Sequence, residues 1–472
     1  MKSLLYTSAL FISISLCAQT PCESGMADIF PCENYDLVSQ IPLSTMNSVK
    51  ANDSWGWTDP MDGKEYAIIC LNEATAFIDI SDPLNPIYLG QMPGESTQHT
   101  TWRDAKTYEN HVYVVSEDSG HGMQVFDLTR LRNVASPPEI FTPDNVYTDF
   151  GSAHNIAINE DTGYAYALGT STFSGGAHFI DLSDPANPVA DGGHNADGYT
   201  HDAHIVTYNG PDSDYTGQEI MIASNETEVD IVDVTDKANP VTIGTIAYNN
   251  VNYTHQGWLT EDHRYFILGD ETDELNTGIN SRTIFFDFED LDNPQFHFEY
   301  EGPTGATDHN GYVKGDKFYL ANNAAGLRVV DISDIANANA TQEGYFDSYP
   351  TNDNSGFNGS WNVYPFFESG HIVISDRAQG FLLVRPSDVL GTEDAELEAS
   401  IAIYPNPVIN EVAVASPQFA IESIKVTDLS GKQVYVSGEI AQGTHTLDLS
   451  RLSAGIYFIT LNDQVTKKII KQ

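Results

Sequence analysis

The sequence predicts an all-β fold, a seven-bladed β-propeller followed by a small immunoglobulin-like β-sandwich, and three observations carry that expectation. One phrase recurs: TAFIDISDPLNP at 75–86, AHFIDLSDPANP at 177–188, VDIVDVTDKANP at 229–240 and LRVVDISDIANA at 327–338. The Asp that closes its apolar part falls at Asp79, Asp127, Asp181, Asp233, Asp287 and Asp331, and a seventh copy carries Arg385 there. Successive gaps are 48, 54, 52, 54, 44 and 54 residues, the spacing of stacked supersecondary units that cannot bury their faces alone. The runs between copies (HVYVVSE, YAYALGT, EIMIASN, RYFILGD, KFYLANN) are β-branched and aromatic, bounded by Gly, Asn and Asp.

Each unit reads as four antiparallel strands. A short run opening on a polar residue, as in HNIAIN from His154 and HNGYVK from His309, comes first, and the runs just quoted follow it. The recurring phrase is the third strand, and after a turn built on SDPxNP comes a fourth, such as PIYLG. Proline fixes φ in that turn and cannot extend a ladder, so the fourth strand starts in a defined direction. The seventh copy breaks off after RPSDVL. The stretch YDLVSQIPL at 35–43 precedes the first full unit and resembles a fourth-strand run. It is expected to supply the outer strand of the seventh blade and so close the ring.

Lys2, the apolar run 4–16 and the small residue Ala18 make 1–18 a secretory signal peptide. Leu16 before Cys17 argues against a lipidated cysteine. No other segment reaches the roughly 18 apolar residues of a membrane span. In an oxidising exterior Cys22 and Cys32 are spaced to close a small disulfide loop, and Cys70, inside YAIICL, is expected to be buried and unpaired. The propeller is therefore expected over 19–392, a linker over 393–400, and the sandwich over 401–472, where short strands alternate with regular turn signals.

The formal net charge is −46, yet residues 401–472 hold six acidic and six basic side chains, so the body carries the excess. Such a surface repels nucleic acid and anionic membranes and suits a saline exterior or the collection of cations. No glycine-rich phosphate loop, HExxH helix or GxSxG elbow occurs, which disfavours nucleotide chemistry and the common hydrolase mechanisms.

Two family resemblances rest on these residues. AFIDIS, VDIVDVT and LRVVDIS resemble the LVIVD repeat, and with the opening PCESGMADIFPCENYDLVSQIPL the chain is similar to the choice-of-anchor B group of secreted bacterial proteins over residues 21–390. That resemblance implies a propeller-like body and brings no established reaction. YPNP (Tyr404, Pro405, Asn406, Pro407), DLSGK at 428–432, LSAGIYF at 452–458 and the terminal KKIIK resemble the type A sorting domain of the type IX secretion system. It implies export by that machinery, then release or attachment at the cell surface.

In a four-stranded blade the start of the first strand and the end of the second lie at one face, around the mouth of the central channel. The residues opening the first strands are His99, His154, His204 (with His201 just before), His255 and His309, while Ser54 and Ser360 open the two departing blades. At the ends of second strands sit Glu73, Glu117, Asp118, Glu226, Asp270, Glu271 and Asp376. Three readings stand open. Each His bonds within its own blade and staples the turn. Or the ring holds a transition metal, with His99, His154, His204, His255, His309, Glu226 and Asp270 as ligand candidates. Or a His acts as base on a polysaccharide while Arg103 or Arg377 neutralises its acid group and Trp102, Trp258 or Trp361 stacks on sugar rings. The mouth would then take a carbohydrate or protein ligand. DSDYTGQE at 212–219 partly echoes a calcium loop, although a plain hairpin turn accounts for it.

Overall fold

The computed structural model describes residues 19–96, 101–387, 402–404, 406–416, 423–428, 432–437, 443–461 and 465–472. The signal segment, His99, the linker 393–400 and Pro405 lie outside them. The chain divides into two units, Met1–Ser387 and Asp388–Gln472.

The first unit holds seven sheets among its described residues, antiparallel except where the edge strand Glu139–Ile140 pairs parallel with Ile87–Pro93. In chain order their innermost strands are Ala51–Thr58, Arg103–Tyr108, Asn155–Asn159, Asp202–Thr207, Thr254–Leu259, Gly311–Lys314 and Ser360–Tyr364. These strands lie against one another in sequence, and the seventh lies against the first. The second strands are buried throughout, as in Glu65–Leu71 and Tyr265–Asp270, or at all but their first residue, as in His111–Ser116, because both faces of each sheet pack on neighbours. Ile68, Cys70 and Phe77 of the first sheet meet Val112, Val114 and Phe126 of the second. Corresponding clusters join each later pair. The last joins Val373, Phe381 and Leu383 of the seventh sheet to Ala67, Ile69 and Ile78 of the first. The fold is thus all-β and propeller-like.

The recurring Asp has a local task. Asp79 Oδ1 accepts from Ser81 N at 2.8 Å, and Asp127, Asp181, Asp233, Asp287 and Asp331 accept alike from the residue two further on. Each side chain ends its strand by building an Asx turn, the usual role of Asp beside a turn. The fourth strands of the first, third, fourth and sixth sheets carry a bulge and a glycine at which another backbone segment presses in. A Cβ on Gly90 would stand 1.9 Å from Glu139 O, and one on Gly244 would stand 2.2 Å from Leu291 O.

The chain's beginning closes the ring. Tyr35–Ile41 pairs antiparallel with Gly380–Pro386 and becomes the outer strand of the seventh sheet. Phe30–Glu33 pairs with Thr341–Phe346 on the outside of the sixth. The Cys22–Cys32 disulfide ties this segment, and Cys70 is free and buried.

The second unit comprises a three-stranded sheet (Ala402–Tyr404, Glu411–Ser416, Gly443–Asp448) and a four-stranded one (Gln433–Ser437, Ile424–Asp428, Gly455–Leu461, Val465–Lys471). Val412, Val414 and Leu447 of one pack with Val426, Ile459 and Ile469 of the other. Asn406 holds the final strand, donating to Lys468 O and accepting from Ile470 N, each at 2.9 Å. Among the described residues no helix is long and apolar enough to cross a membrane.

Candidate functional site

The innermost strands present successive rows of side chains to the channel. A middle row is polar on every strand: Asp53, Asp104, Asn155, Asp202, Gln256, Asn310 and Asn362. It sews neighbouring strands together where no backbone ladder runs. Gln256 Oε1 accepts from Gly311 N at 2.8 Å while its Nε2 donates to Gly311 O at 3.1 Å. Asp104 Oδ2 accepts from Ile156 N at 3.0 Å. Burial pushes the Asp202 carboxyl up to about 7, although Lys106 opposes it.

Asn362 joins the seventh strand to the first. Its Nδ2 donates to Asp53 Oδ1 and, at 2.6 Å, to Ser54 O, and its Oδ1 accepts from Tyr312 Oη at 2.9 Å. Replacing Asn362 by Ala strands several buried polar groups at once. A loss of about 2–4 kcal/mol of stability is expected in urea denaturation. A change within a few tenths would show that the row is not structural.

One residue earlier on each strand lies the row at the mouth. Alternation would turn consecutive residues to opposite faces, but register shifts between Thr254 and Gln256 and between Ser360 and Asn362 mark bulges there. A bulge re-aims a side chain. His255 and Trp361 therefore face the mouth together with His154, His201 and His309. The five rings form one arc, with centroid separations of 4.3 Å from His154 to His201, 4.3 Å to His255, 4.5 Å to His309 and 4.3 Å to Trp361. A cavity of about 280 Å³ opens over them, walled also by Trp102, Tyr199, Tyr253 and Glu271.

The arc has a direction. His201 Nδ1 donates to His255 O at 3.0 Å, and His309 Nδ1 donates to Trp361 O at 2.6 Å. With its Nδ1 proton so used, each of these two imidazoles keeps a lone pair on Nε2. His255 Nε2 stands 3.7 Å and His309 Nε2 3.5 Å from the same oxygen, Glu271 Oε1. Burial pushes His309 down to about 3 and holds His201 and His255 well below the usual histidine range, the neighbouring imidazoles adding to it. All three are neutral at pH 7. Burial, with Asp270 beside it and Arg377 in opposition, raises the Glu271 carboxyl to about 7. Two neutral imidazoles and one carboxylate within 4.8 Å of one another are a set that suits zinc, iron or manganese.

The other expected site residues divide between this mouth, which Arg103, Glu117, His154 and Trp361 also line, and other places. His99 is outside the described residues. His154 is at the mouth but engaged, with Nδ1 2.6 Å from Glu117 Oε1. His204 lies two residues past the polar row, where it stacks on Trp258 at 3.8 Å and its Nδ1 accepts from Leu259 N. It lines a separate cavity with Trp55, Lys106, Trp258 and Tyr312, so Trp258 is not at the His-lined mouth either. Asp270 accepts from Tyr248 Oη at 2.9 Å and from Asn252 N and Tyr253 N at 2.7 Å. Glu226 contributes a backbone bridge to Thr254 and does not line the cavity. Arg103 is buried, 2.8 Å from His121 and 3.6 Å from Asp118, whereas Arg377 lies over the Trp361 ring at 4.6 Å. Asp212 of the DSDYTGQE loop accepts from Asp214 N, as a turn needs, and from Leu291 N of the fifth sheet's turn.

Residues 402–472 match the model of the secretion system C-terminal sorting domain, which marks proteins handled by the type IX secretion system and attached to the cell surface or released. Residues 312–341 match the LVIVD repeat. A comparison with curated proteins finds no match. Among solved structures the chain is similar to Kuenenia stuttgartiensis hydrazine synthase, at 12% identity and TM-score 0.49, over 70% of this chain and 94% of that one. It is similar to U3-55K at 7% identity and TM-score 0.48, over 75% and 98%. The C-terminal WD40 domain of Sif2 gives 9% identity and TM-score 0.45, over 75% and 98%. Likenesses this distant bear on no activity.

Proposed function

We propose that residues 19–392 form a seven-bladed β-propeller of the choice-of-anchor B type, exported on its C-terminal sandwich, that acts outside the cell as a binding module. Its ligand site is the His-lined mouth, and a divalent transition metal there is held by His255 Nε2, His309 Nε2 and Glu271, with His201 beside them. One observation carries this: both Nε2 atoms converge on Glu271 Oε1, at 3.7 and 3.5 Å. A stapling role alone would use the Nδ1 bonds and leave no reason for a shared carboxylate. A bound metal would keep positions open toward the cavity for a ligand donor atom, with Tyr199, Tyr253 and Trp102 as its walls.

The purified chain, equilibrated with zinc or manganese and freed of unbound ion, is expected to retain close to one metal per molecule. His255→Ala and His309→Ala should lose it and His204→Ala should keep it. Equal retention in all four proteins, or none in the parent, would sink the proposal. A second reading, a metal-free enzyme acting on polysaccharide, is favoured by the exposed Trp102 indole at the rim, a platform for a sugar ring. Cleavage of an acidic polysaccharide in the presence of chelator would favour it over the first.

A further inference from the structure

A second cluster of carboxylates lies outside the mouth. The loop after Tyr265–Asp270 runs into the short helix Asp273–Thr277, and the loop before Gly311–Lys314 carries Asp308. Asp273, Glu274 and Asp308 each bring an oxygen within 4.8 Å of the others. They are 0%, 2% and 0% exposed. Neither oxygen of Asp308 accepts a hydrogen bond. The backbone even makes room for that carboxylate, since a Cβ on Gly269 would stand 2.7 Å from Asp308 Oδ2.

Charge balance sharpens the point. Arg282 donates from Nε to Asp273 Oδ2 at 2.7 Å and pairs with Asp270 at 3.6 Å and Glu299 at 3.2 Å. It is the one ammonium or guanidinium paired with Asp270, Asp273, Glu274 or Asp308 among the described residues. Four buried carboxyls thus share one cation, and none of its bonds reaches Asp308. The Asp308 oxygens are left without partners beside two further buried carboxyls. A hard divalent cation supplies both the missing charge and the missing partner, and clustered carboxylate oxygens are what calcium takes.

We propose that Asp273, Glu274 and Asp308 form a calcium site that ties the loop between the second and third strands of the fifth sheet to the loop entering the sixth. The same two loops deliver Glu271 and His309 to the mouth, but the calcium site stands on its own geometry and holds whether or not the mouth binds a transition metal.

Thermal unfolding of the purified chain in millimolar calcium and in EGTA tests this, with calcium titration calorimetry beside it. Calcium is expected to raise the parent's Tm by about 5 °C, the size of a saturated single site in a large domain. Asp308→Asn should abolish both the shift and the heat, while its Tm in EGTA should equal or exceed the parent's, because a buried charge has gone. Glu274→Gln should behave alike, and His255→Ala should keep the calcium response. No shift in the parent overturns the proposal. So does a shift that survives in Asp308→Asn, which would belong to the acidic surface instead.

Discussion

Removal of residues 19–43 is expected to leave the first unit unable to fold. The strand Tyr35–Ile41 packs on both its neighbours. Tyr35 and Leu37 sit with Tyr319, Val329 and Phe346 of the sixth sheet, and Val38 and Ile41 sit with Ala67, Ile69 and Ile78 of the first. A register shift between Leu37 and Ser39 places Val38 at a bulge in this strand. Phe30, 1% exposed, adds a contact with Phe346 at 5.4 Å. At about 1.5–3 kcal/mol per buried large side chain, five of them represent on the order of 10 kcal/mol, as much as the net stability of a typical domain. Truncation also bares the ladder edge of Gly380–Pro386, which invites aggregation. The check is the far-ultraviolet circular dichroism and melting of the truncated chain, alone and with a synthetic 19–43 peptide. Loss of cooperative unfolding, restored by the peptide, is expected. A truncated chain that melts like the parent would show that the ring does not depend on its first strand.

Loss of a mouth ligand is expected to have the second large effect. His309→Ala removes one of the two Nε2 donors, and Glu271→Gln removes the anionic one. Even changes to groups that only orient a ligand cost about 10–100-fold in metal affinity, so each of these variants should weaken zinc binding by roughly 100-fold or more. Competition with a chromophoric chelator reads this directly. Glu271→Gln is the more informative variant, because it keeps the shape of the mouth and removes a carboxyl whose burial is costly. Its Tm without metal should therefore match or exceed the parent's. A Glu271→Gln protein that binds zinc as the parent does would remove the carboxylate from the site.

The ring was legible because its determinants are local and repeated. An Asp that bonds the amide two residues on leaves its mark in the sequence, and so does a β-branched run facing neighbours on both sides. The closing strand was legible for the same reason, since YDLVSQIPL carries the pattern of a fourth strand where no unit precedes it. The site was less so. In THDAH, sequence order alone favoured His204, whereas the strand begins at Asp202 and its register sends His201 to the mouth and His204 beyond the polar row. Asp270 and Glu271 stand side by side at a strand end. Which one faces the mouth depends on Tyr248, Asn252 and Tyr253, brought by a separate loop to occupy Asp270. Bulges decide the orientation of His255, and they depend on pairing with the next strand. The buried acids Asp273, Glu274 and Asp308 passed unremarked because DETDE at 270–274 looks like an ordinary solvated turn.

On the proposed reading His255, His309 and Glu271 act as one ligand set. Crystals grown with zinc and measured on both sides of its absorption edge test it most directly. An anomalous peak is expected at the mouth with His255 Nε2, His309 Nε2 and a Glu271 oxygen all at about 2.0–2.2 Å, after small side-chain movements. A mouth without a peak at saturating zinc, with His201 and His309 still bonded through Nδ1 to the neighbouring carbonyls, would contradict it and leave the histidines as parts of the ring's framework.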